Sequence, residues 1–151
     1  MKSKIFIPAL ASLFLLIMVG YFIMNPSYEK SIKAKFYYET GEYKIALSLA
    51  QEAFNMDLYN RMAATIMAQS KASLKYVAYN EDAKKYMKDI DTIAKHEIIS
   101  NADRAKIRTM CDIMINSYDK LAPSVVIDTK LLHEAKQYRD DFEKLFEKAN
   151  R

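Results

Sequence analysis

The chain opens with a continuous apolar run and then changes to the helical alternation of apolar and polar positions. Residues 5–24 (IFIPALASLFLLIMVGYFIM) contain no charged side chain. At 1.5 Å rise per residue, about 20 residues span the roughly 30 Å of bilayer hydrocarbon. Pro8 falls in the first turn, where its missing N–H costs no hydrogen bond. The run predicts a transmembrane helix over residues 5–24, preceded by a tail of residues 1–4.

A cleavable secretory signal is the alternative for this run, because Lys2 and Lys4 resemble a positively charged n-region. The run is longer than a typical h-region, and bulky residues follow it where a signal peptidase needs small ones. An uncleaved signal-anchor is therefore favoured. The positive-inside rule is nearly tied, since lysines also follow the span. A short tail with two lysines is the usual cytoplasmic end, which predicts insertion in the inner membrane with the C-terminal domain in the periplasm.

Residues 25–151 read as one all-α domain. Glycine occurs only at positions 20 and 41 and proline only at 8, 26 and 123, and no alternating strand pattern is present. We predict about six helices here, of which four cover residues 26–39, 43–56, 59–77 and 81–95. A fifth begins at a Ser100–Asp103 capping box and ends before Pro123, and Asp128 caps the sixth. Such helices pack as antiparallel pairs, in a short α-solenoid or a bundle.

Residues 27–60 carry small, aromatic and turn residues at regular spacing: Ala34, Tyr37, Gly41, Tyr43, Ala46, Leu47, Ala53 and Phe54, with Asp57 near the end. By these residues the segment resembles a tetratricopeptide repeat, a helix–turn–helix unit of about 34 residues. The sequence departs from the pattern at Lys30, Lys33, Ala50 and Leu58. A degenerate second repeat is expected over residues 61–95, with residues 98–151 as capping helices. A generic helical bundle with an accidental motif is the alternative. The resemblance implies that the first eight of these matching residues, from Ala34 to Phe54, pack the repeat.

The resemblance also implies a binding face. In this family ligands lie on the concave surface formed by the first helix of each pair. Its carboxylate clamp for chaperone tails needs lysine and asparagine at positions where Ser31 and Gln69 stand here, so that ligand class is not implied. By position, the partner-binding residues are expected to be Tyr28, Ser31, Lys35, Tyr38, Met62, Thr65, Gln69 and Ser73.

The remaining composition offers little for catalysis or nucleic-acid binding. The net charge is only +4, and lysines alternate with acidic residues instead of forming a basic stripe. His96 and His133 have no metal-ligand companions at the usual spacings, and Cys111 lies on an apolar stripe. We therefore expect no catalytic residues, no metal, no cofactor and no nucleic acid.

The sequence predicts a membrane-anchored adaptor or scaffold that binds proteins within a larger multi-subunit assembly of the cell envelope, such as a secretion, translocon-associated or flagellar-motor accessory structure. One alternative is a chaperone or targeting receptor that binds client segments. Another is a structural subunit of an oligomeric ring. A scaffold has a few stoichiometric partners, whereas a receptor or chaperone has many substoichiometric ones.

Overall fold

A computed structural model describes the backbone of residues 3–121 and 127–150, and their side chains except those of residues 3–6, 22 and 23. Within these residues the protein has six helices and no strand, so the predicted all-α class is confirmed. Two compact units, Met1–Lys71 and Ala72–Arg151, divide the chain within its fourth helix. The helices are α1 (Ser3–Met24), α2 (Pro26–Glu39), α3 (Tyr43–Met56), α4 (Arg61–Ala94), α5 (Asn101–Asp119) and α6 (Thr129–Ala149).

The predicted transmembrane helix coincides with α1, but its role in a membrane stays a prediction. Within the described side chains, which in α1 run continuously from Ile7 to Tyr21, no single helix is both long and apolar enough to cross a membrane. The pair Ile7–Tyr21 and Pro26–Glu39, whose axes differ in direction by 73°, has the required length and composition only when the two helices are counted together.

One predicted helix boundary is wrong. The sequence predicted separate helices over residues 59–77 and 81–95, whereas α4 runs without a break from Arg61 to Ala94. Five described helices therefore follow α1 instead of about six. The turn that a second helical hairpin within residues 61–95 requires is absent from this described segment.

The N-terminal unit is built on a hairpin of α2 and α3. Asn25 caps α2 by accepting from the Ser27 amide, and Pro26 occupies the first turn, as predicted. Gly41 lies in the turn at a φ of 85°, a left-handed conformation that side chains with a Cβ disfavour. Small side chains let the helices approach closely. Those buried in the hairpin include Ala34, Ala46, Ala50 and Ala53, with Tyr43 beside them and Tyr37, Leu47 and Phe54 half-buried.

A network of buried hydrogen bonds joins the start of α4 to the α2–α3 hairpin. The Asn60 amide nitrogen donates to the Oγ atoms of Ser27 and Ser31, each at 2.8 Å. Its amide oxygen accepts from the Ala63 N–H at 3.0 Å and so caps α4. The Ser27 hydroxyl donates to the Ala53 carbonyl at 2.9 Å, which places the start of α2 beside the end of α3. The Ser31 hydroxyl donates to the Ser27 carbonyl at 2.9 Å, so every polar atom of the Asn60 side chain and both hydroxyl protons have partners.

The C-terminal unit contains the larger apolar core. It is formed by the second part of α4 together with α5 and α6. Arg104, in the first turn of α5, lines a small hollow together with Lys148 and Ala149 at the end of α6, so these two helices are antiparallel. Arg108 donates to the Asn150 side chain after α6 at 3.5 Å. The predicted stripe of α5 is confirmed, with Ile107, Met110, Cys111 and Met114 buried. Phe142, on the predicted stripe of α6, is completely buried.

Local capping in the C-terminal unit follows the sequence. The Ser100–Asp103 capping box is present, because the Ser100 hydroxyl accepts from the Asp103 amide and the Asp103 carboxylate accepts from the Ser100 amide. Asp128 caps α6 by accepting from the Lys130 amide at 2.9 Å. Pro123, predicted to end the fifth helix, lies outside the described residues.

Candidate protein-binding groove

A groove of about 430 Å³ lies on the surface of the N-terminal unit, between α2 and the first turns of α4. Its residues recur at intervals of three and four along each helix, so their side chains share one face. Five of the predicted partner-binding residues meet there. The groove is lined by Lys35, Tyr38 and Glu39 from α2, and by Arg61, Met62, Thr65, Ile66 and Gln69 from α4.

Apolar side chains form the floor of the groove. Ile66 is buried and packs against the alanines of the hairpin, while Met62 keeps 37% of its surface exposed. Tyr38 packs against the same small core and meets Tyr43 edge to face, with ring centroids 5.4 Å apart. Tyr38 therefore both fills the core and lines the groove, and its ring is held in place before any partner binds.

Of the two basic side chains that line the groove, one has an ion-pair partner and the other has none among the described residues. Lys35 lies 3.7 Å from Glu39 one turn along α2, an exposed pair of small energetic value. Arg61 has no carboxylate partner within ion-pair distance among the described residues. The Thr65 hydroxyl donates to the Arg61 carbonyl at 2.8 Å, so this hydroxyl is already engaged within α4. The guanidinium of Arg61 is the charge best placed to meet a carboxylate of a partner.

Three of the predicted partner-binding residues do not line the groove. Ser31 is completely buried in the Asn60 network, and Ser73 is completely buried in the C-terminal unit. Neither hydroxyl reaches the surface, so the placement of these two residues on a binding face is corrected. Tyr28 is half-buried and stands outside the set of side chains that line the groove.

Sequence reasoning missed three residues of the groove, namely Glu39, Arg61 and Ile66. Glu39 follows Lys35 by one turn and Ile66 follows Met62 by one turn, so helical spacing places them beside predicted residues. Arg61 was missed because the binding positions that the resemblance implies for the second repeat begin one residue later, at Met62. Asn60 caps α4, so Arg61 is the first helical residue and lies beside Met62.

The histidine and cysteine side chains noted in the sequence do not lie together in one site. Among the described residues no group of three histidine, cysteine, aspartate or glutamate side chains is arranged to hold a metal ion. His96 is exposed, with its Nδ1 atom 3.9 Å from the Asp103 carboxylate. Burial raises the pKa of the Cys111 thiol from its ordinary value of 9.0 to about 11, so this thiol is protonated at neutral pH.

A second hollow, of about 390 Å³, lies in the C-terminal unit between α4 and α5. Tyr79 lines it, and burial raises the pKa of its phenol. The Tyr79 hydroxyl has no hydrogen-bond partner among the described residues. None of the predicted partner-binding residues lies in this hollow.

Comparison of the chain with protein-family models, with curated proteins and with solved structures gives no match.

Proposed function

We propose that this protein is a membrane-anchored protein-interaction adaptor, in which α1 is the anchor and the groove between α2 and α4 binds a segment of a partner protein. The observation that carries the proposal is the groove itself. It brings together Lys35, Tyr38, Met62, Thr65 and Gln69, five of the eight residues expected on the concave face of a tetratricopeptide-like repeat. The α2–α3 hairpin spans the segment that resembles this repeat.

The surface of α1 supports the anchor. This helix has 22 residues, which at 1.5 Å per residue gives a length of about 33 Å. Large apolar side chains from Ile7 to Tyr21 are exposed along it. Leaving a large aliphatic side chain in water forgoes about 1.5–3 kcal/mol relative to burial, so a helix with this surface needs an apolar environment. A lipid bilayer provides one, and the N-terminal lysines favour a periplasmic domain beyond it.

The composition of the groove selects the class of partner. Its exposed apolar contact is Met62 beside Tyr38, and its available cation is Arg61. A peptide segment with an apolar side chain next to a carboxylate matches this pair of features. Methionine adapts to apolar side chains of different shapes, and aromatic and arginine side chains are the usual anchors of protein interfaces.

Site-specific photo-crosslinking of the full-length protein in its native membrane tests the groove. We expect a photoreactive amino acid at Met62 to give one or a few strong adducts with other proteins. The same amino acid at Asn55, exposed on α3 and outside the groove, is the matched control and should give none of them. Arg61→Glu should abolish the adducts by reversing the charge that faces the partner.

Several outcomes separate the functions. No adducts at Met62, or the same adducts at Asn55, would refute the groove as the binding site. Many weak adducts at Met62 would favour the chaperone or receptor over the adaptor. The side of the membrane on which the C-terminal domain lies is tested independently with a C-terminal tag. Protease added outside the sealed inner membrane should digest this tag. A tag that stays protected until the cells are lysed would place the domain in the cytoplasm.

A further inference from the structure

The last residue of α3 and the connection to α4 carry a cluster of exposed apolar side chains. Met56 is 55% exposed, Leu58 67% and Tyr59 91%. Single exposed apolar residues are ordinary on a protein surface, but three within four positions at the tip of one loop form a local patch. The Asp57 carboxylate accepts from the Tyr59 amide at 2.9 Å, so the loop has a defined turn while its apolar side chains point outward. We call Met56, Leu58 and Tyr59 the apolar loop.

The Asn60 network fixes where this loop lies. Asn60 follows Tyr59 directly and donates to Ser27 and Ser31 at 2.8 Å, so the loop is bound to the first turns of α2. The α2 helix begins at Pro26, two positions after α1 ends at Met24. Whatever the angle between α1 and α2, the apolar loop therefore lies beside the end of α1. The interfacial region of a bilayer is about 5–7 Å thick on each side, comparable with the length of the few residues that separate Met24 from Ser27.

The charges near the apolar loop balance. Lys30 pairs with Glu52 and Lys33 with Glu29, each with a nitrogen–oxygen distance of 2.6 Å. The remaining neighbouring charges, on Asp57 and Arg61, are of opposite sign. No excess of positive charge is present to select anionic lipids, so burial of apolar surface is the force that such a loop offers to a membrane.

We propose that the apolar loop is a second membrane contact, which inserts Leu58 and Tyr59 into the interfacial region of the same bilayer that holds α1. Tyrosine suits this depth because its ring is apolar and its hydroxyl stays in contact with water. The loop limits how the N-terminal unit tilts and thereby sets the direction in which the groove faces. This inference rests on the proposed membrane anchoring by α1.

The chain contains no tryptophan, so a single introduced tryptophan reports without background. We would reconstitute the full-length Tyr59→Trp variant into phosphatidylcholine vesicles whose acyl chains carry a nitroxide either close to the headgroup or near the chain end. Expected results for Tyr59→Trp are blue-shifted emission and strong quenching by the nitroxide close to the headgroup. Phe14→Trp, in the middle of α1, is the positive control for anchoring and should be quenched by the nitroxide near the chain end. Ile45→Trp is the negative control, because Ile45 is exposed near the opposite end of α3, about 16 Å along the helix from Met56.

The three variants separate the inference from the anchoring. Quenching at position 14 with no quenching at position 59 would overturn the loop contact and leave the anchor intact. No quenching at position 14, with failure of the protein to float with vesicles, would overturn the anchor. Equal quenching at positions 45 and 59 would also overturn the proposal, because the domain would then lie along the bilayer with no special contact at the loop.

A charge substitution and a salt series complete the test. Leu58→Glu, added to Tyr59→Trp, should remove the quenching while flotation with vesicles persists. Raising the salt concentration from 50 to 500 mM should leave the quenching of the Tyr59→Trp variant unchanged, since the contact depends on apolar burial. Quenching that survives Leu58→Glu, or that disappears at high salt, would refute insertion of the apolar loop.

Discussion

Replacing Asn60 tests the interaction that joins α4 to the α2–α3 hairpin. Asn60→Ala removes the cap of α4, which costs about 1 kcal/mol. It also removes two hydrogen bonds to buried serine hydroxyls, each with a net contribution of about 1 kcal/mol. The expected loss is about 3 kcal/mol, a large fraction of the 5–15 kcal/mol by which domains are usually stable. The Ser27 and Ser31 hydroxyls keep the carbonyls to which they donate, so the loss is confined to the Asn60 side chain.

Two further variants divide this loss into its parts. Asn60→Ser keeps an oxygen that can cap α4 but is too short to bridge both hydroxyls, so it should cost about 2 kcal/mol. Asn55→Ala is the matched control, because the same chemical change is made at an exposed position of α3. A double-mutant cycle of Asn60→Ala with Ser27→Ala should give a coupling of about 1 kcal/mol, the value of the shared hydrogen bond.

Hydrogen exchange of the full-length protein in detergent is the suitable assay, because the chain has two units and a single unfolding midpoint would mix them. For Asn60→Ala, amides of α2, α3 and the first turns of α4 should lose about 100-fold in protection, which corresponds to about 3 kcal/mol. Those of α5 and α6 should be unchanged. A loss below about 0.5 kcal/mol, or an equal loss in α5 and α6, would refute the assigned role of Asn60.

Three further predictions concern other positions. Gly41→Ala should destabilise the N-terminal unit by about 1 kcal/mol in chemical denaturation, because a Cβ there meets no neighbouring atom and the cost is the positive φ alone; an unchanged midpoint would contradict this. Ser100→Ala should destabilise the C-terminal unit by about 1 kcal/mol by removing the N-cap. Hydrogen bonds from the Ser100 side chain and backbone lower the pKa of the Asp103 carboxyl below its ordinary 3.8, so that carboxylate's stabilising effect is present above pH 3.8 and lost in acid. A pH series should show a smaller effect in the variant, which keeps only the backbone hydrogen bond. Burial raises the pKa of Cys111 from 9.0 to about 11, so the contribution of the buried thiol to stability is present below pH 9 and falls as the pH rises from 9 to 11. In thermal unfolding, the melting temperature of Cys111→Ala should therefore fall less over this pH range than that of the wild type. The native thiol should also not react with a disulfide reagent at pH 8.

Features that depend on neighbouring residues were predictable from the sequence. The caps at Asn25, Ser100 and Asp128 involve atoms two or three residues apart, so the sequence contains both partners. Gly41 is also a local feature, because glycine reaches a positive φ without steric cost. The buried stripe of α5 follows from spacings of three and four residues, which place side chains on one face of any helix.

The continuity of α4 could not be read from local sequence. The predicted break lay between residues 77 and 81, next to Asn80, a residue type that favours caps over helix interiors. In the structure Asn80 is 3% exposed, and its amide donates to the Glu134 carboxylate of α6 at 3.1 Å. This partner lies 54 positions along the chain, so only the packing of α4 against α6 decides that the helix continues.

The residues of the candidate groove were also only partly predictable from the sequence. The resemblance to a tetratricopeptide repeat implied that Lys35, Tyr38, Met62, Thr65 and Gln69 belong to a binding face, and the tertiary structure brings these five residues together around one groove. The sequence could not distinguish Ser31 from them, because a serine suits an exposed face and a buried one equally well when its hydroxyl has a partner. That partner is Asn60, which is 29 positions away. The sequence by itself determined the all-α class, the local caps and the buried stripe of α5 through short-range geometry. The tertiary structure decided that α4 is continuous and which polar side chains are buried, because the hydrogen-bond partners of these side chains are distant in the chain.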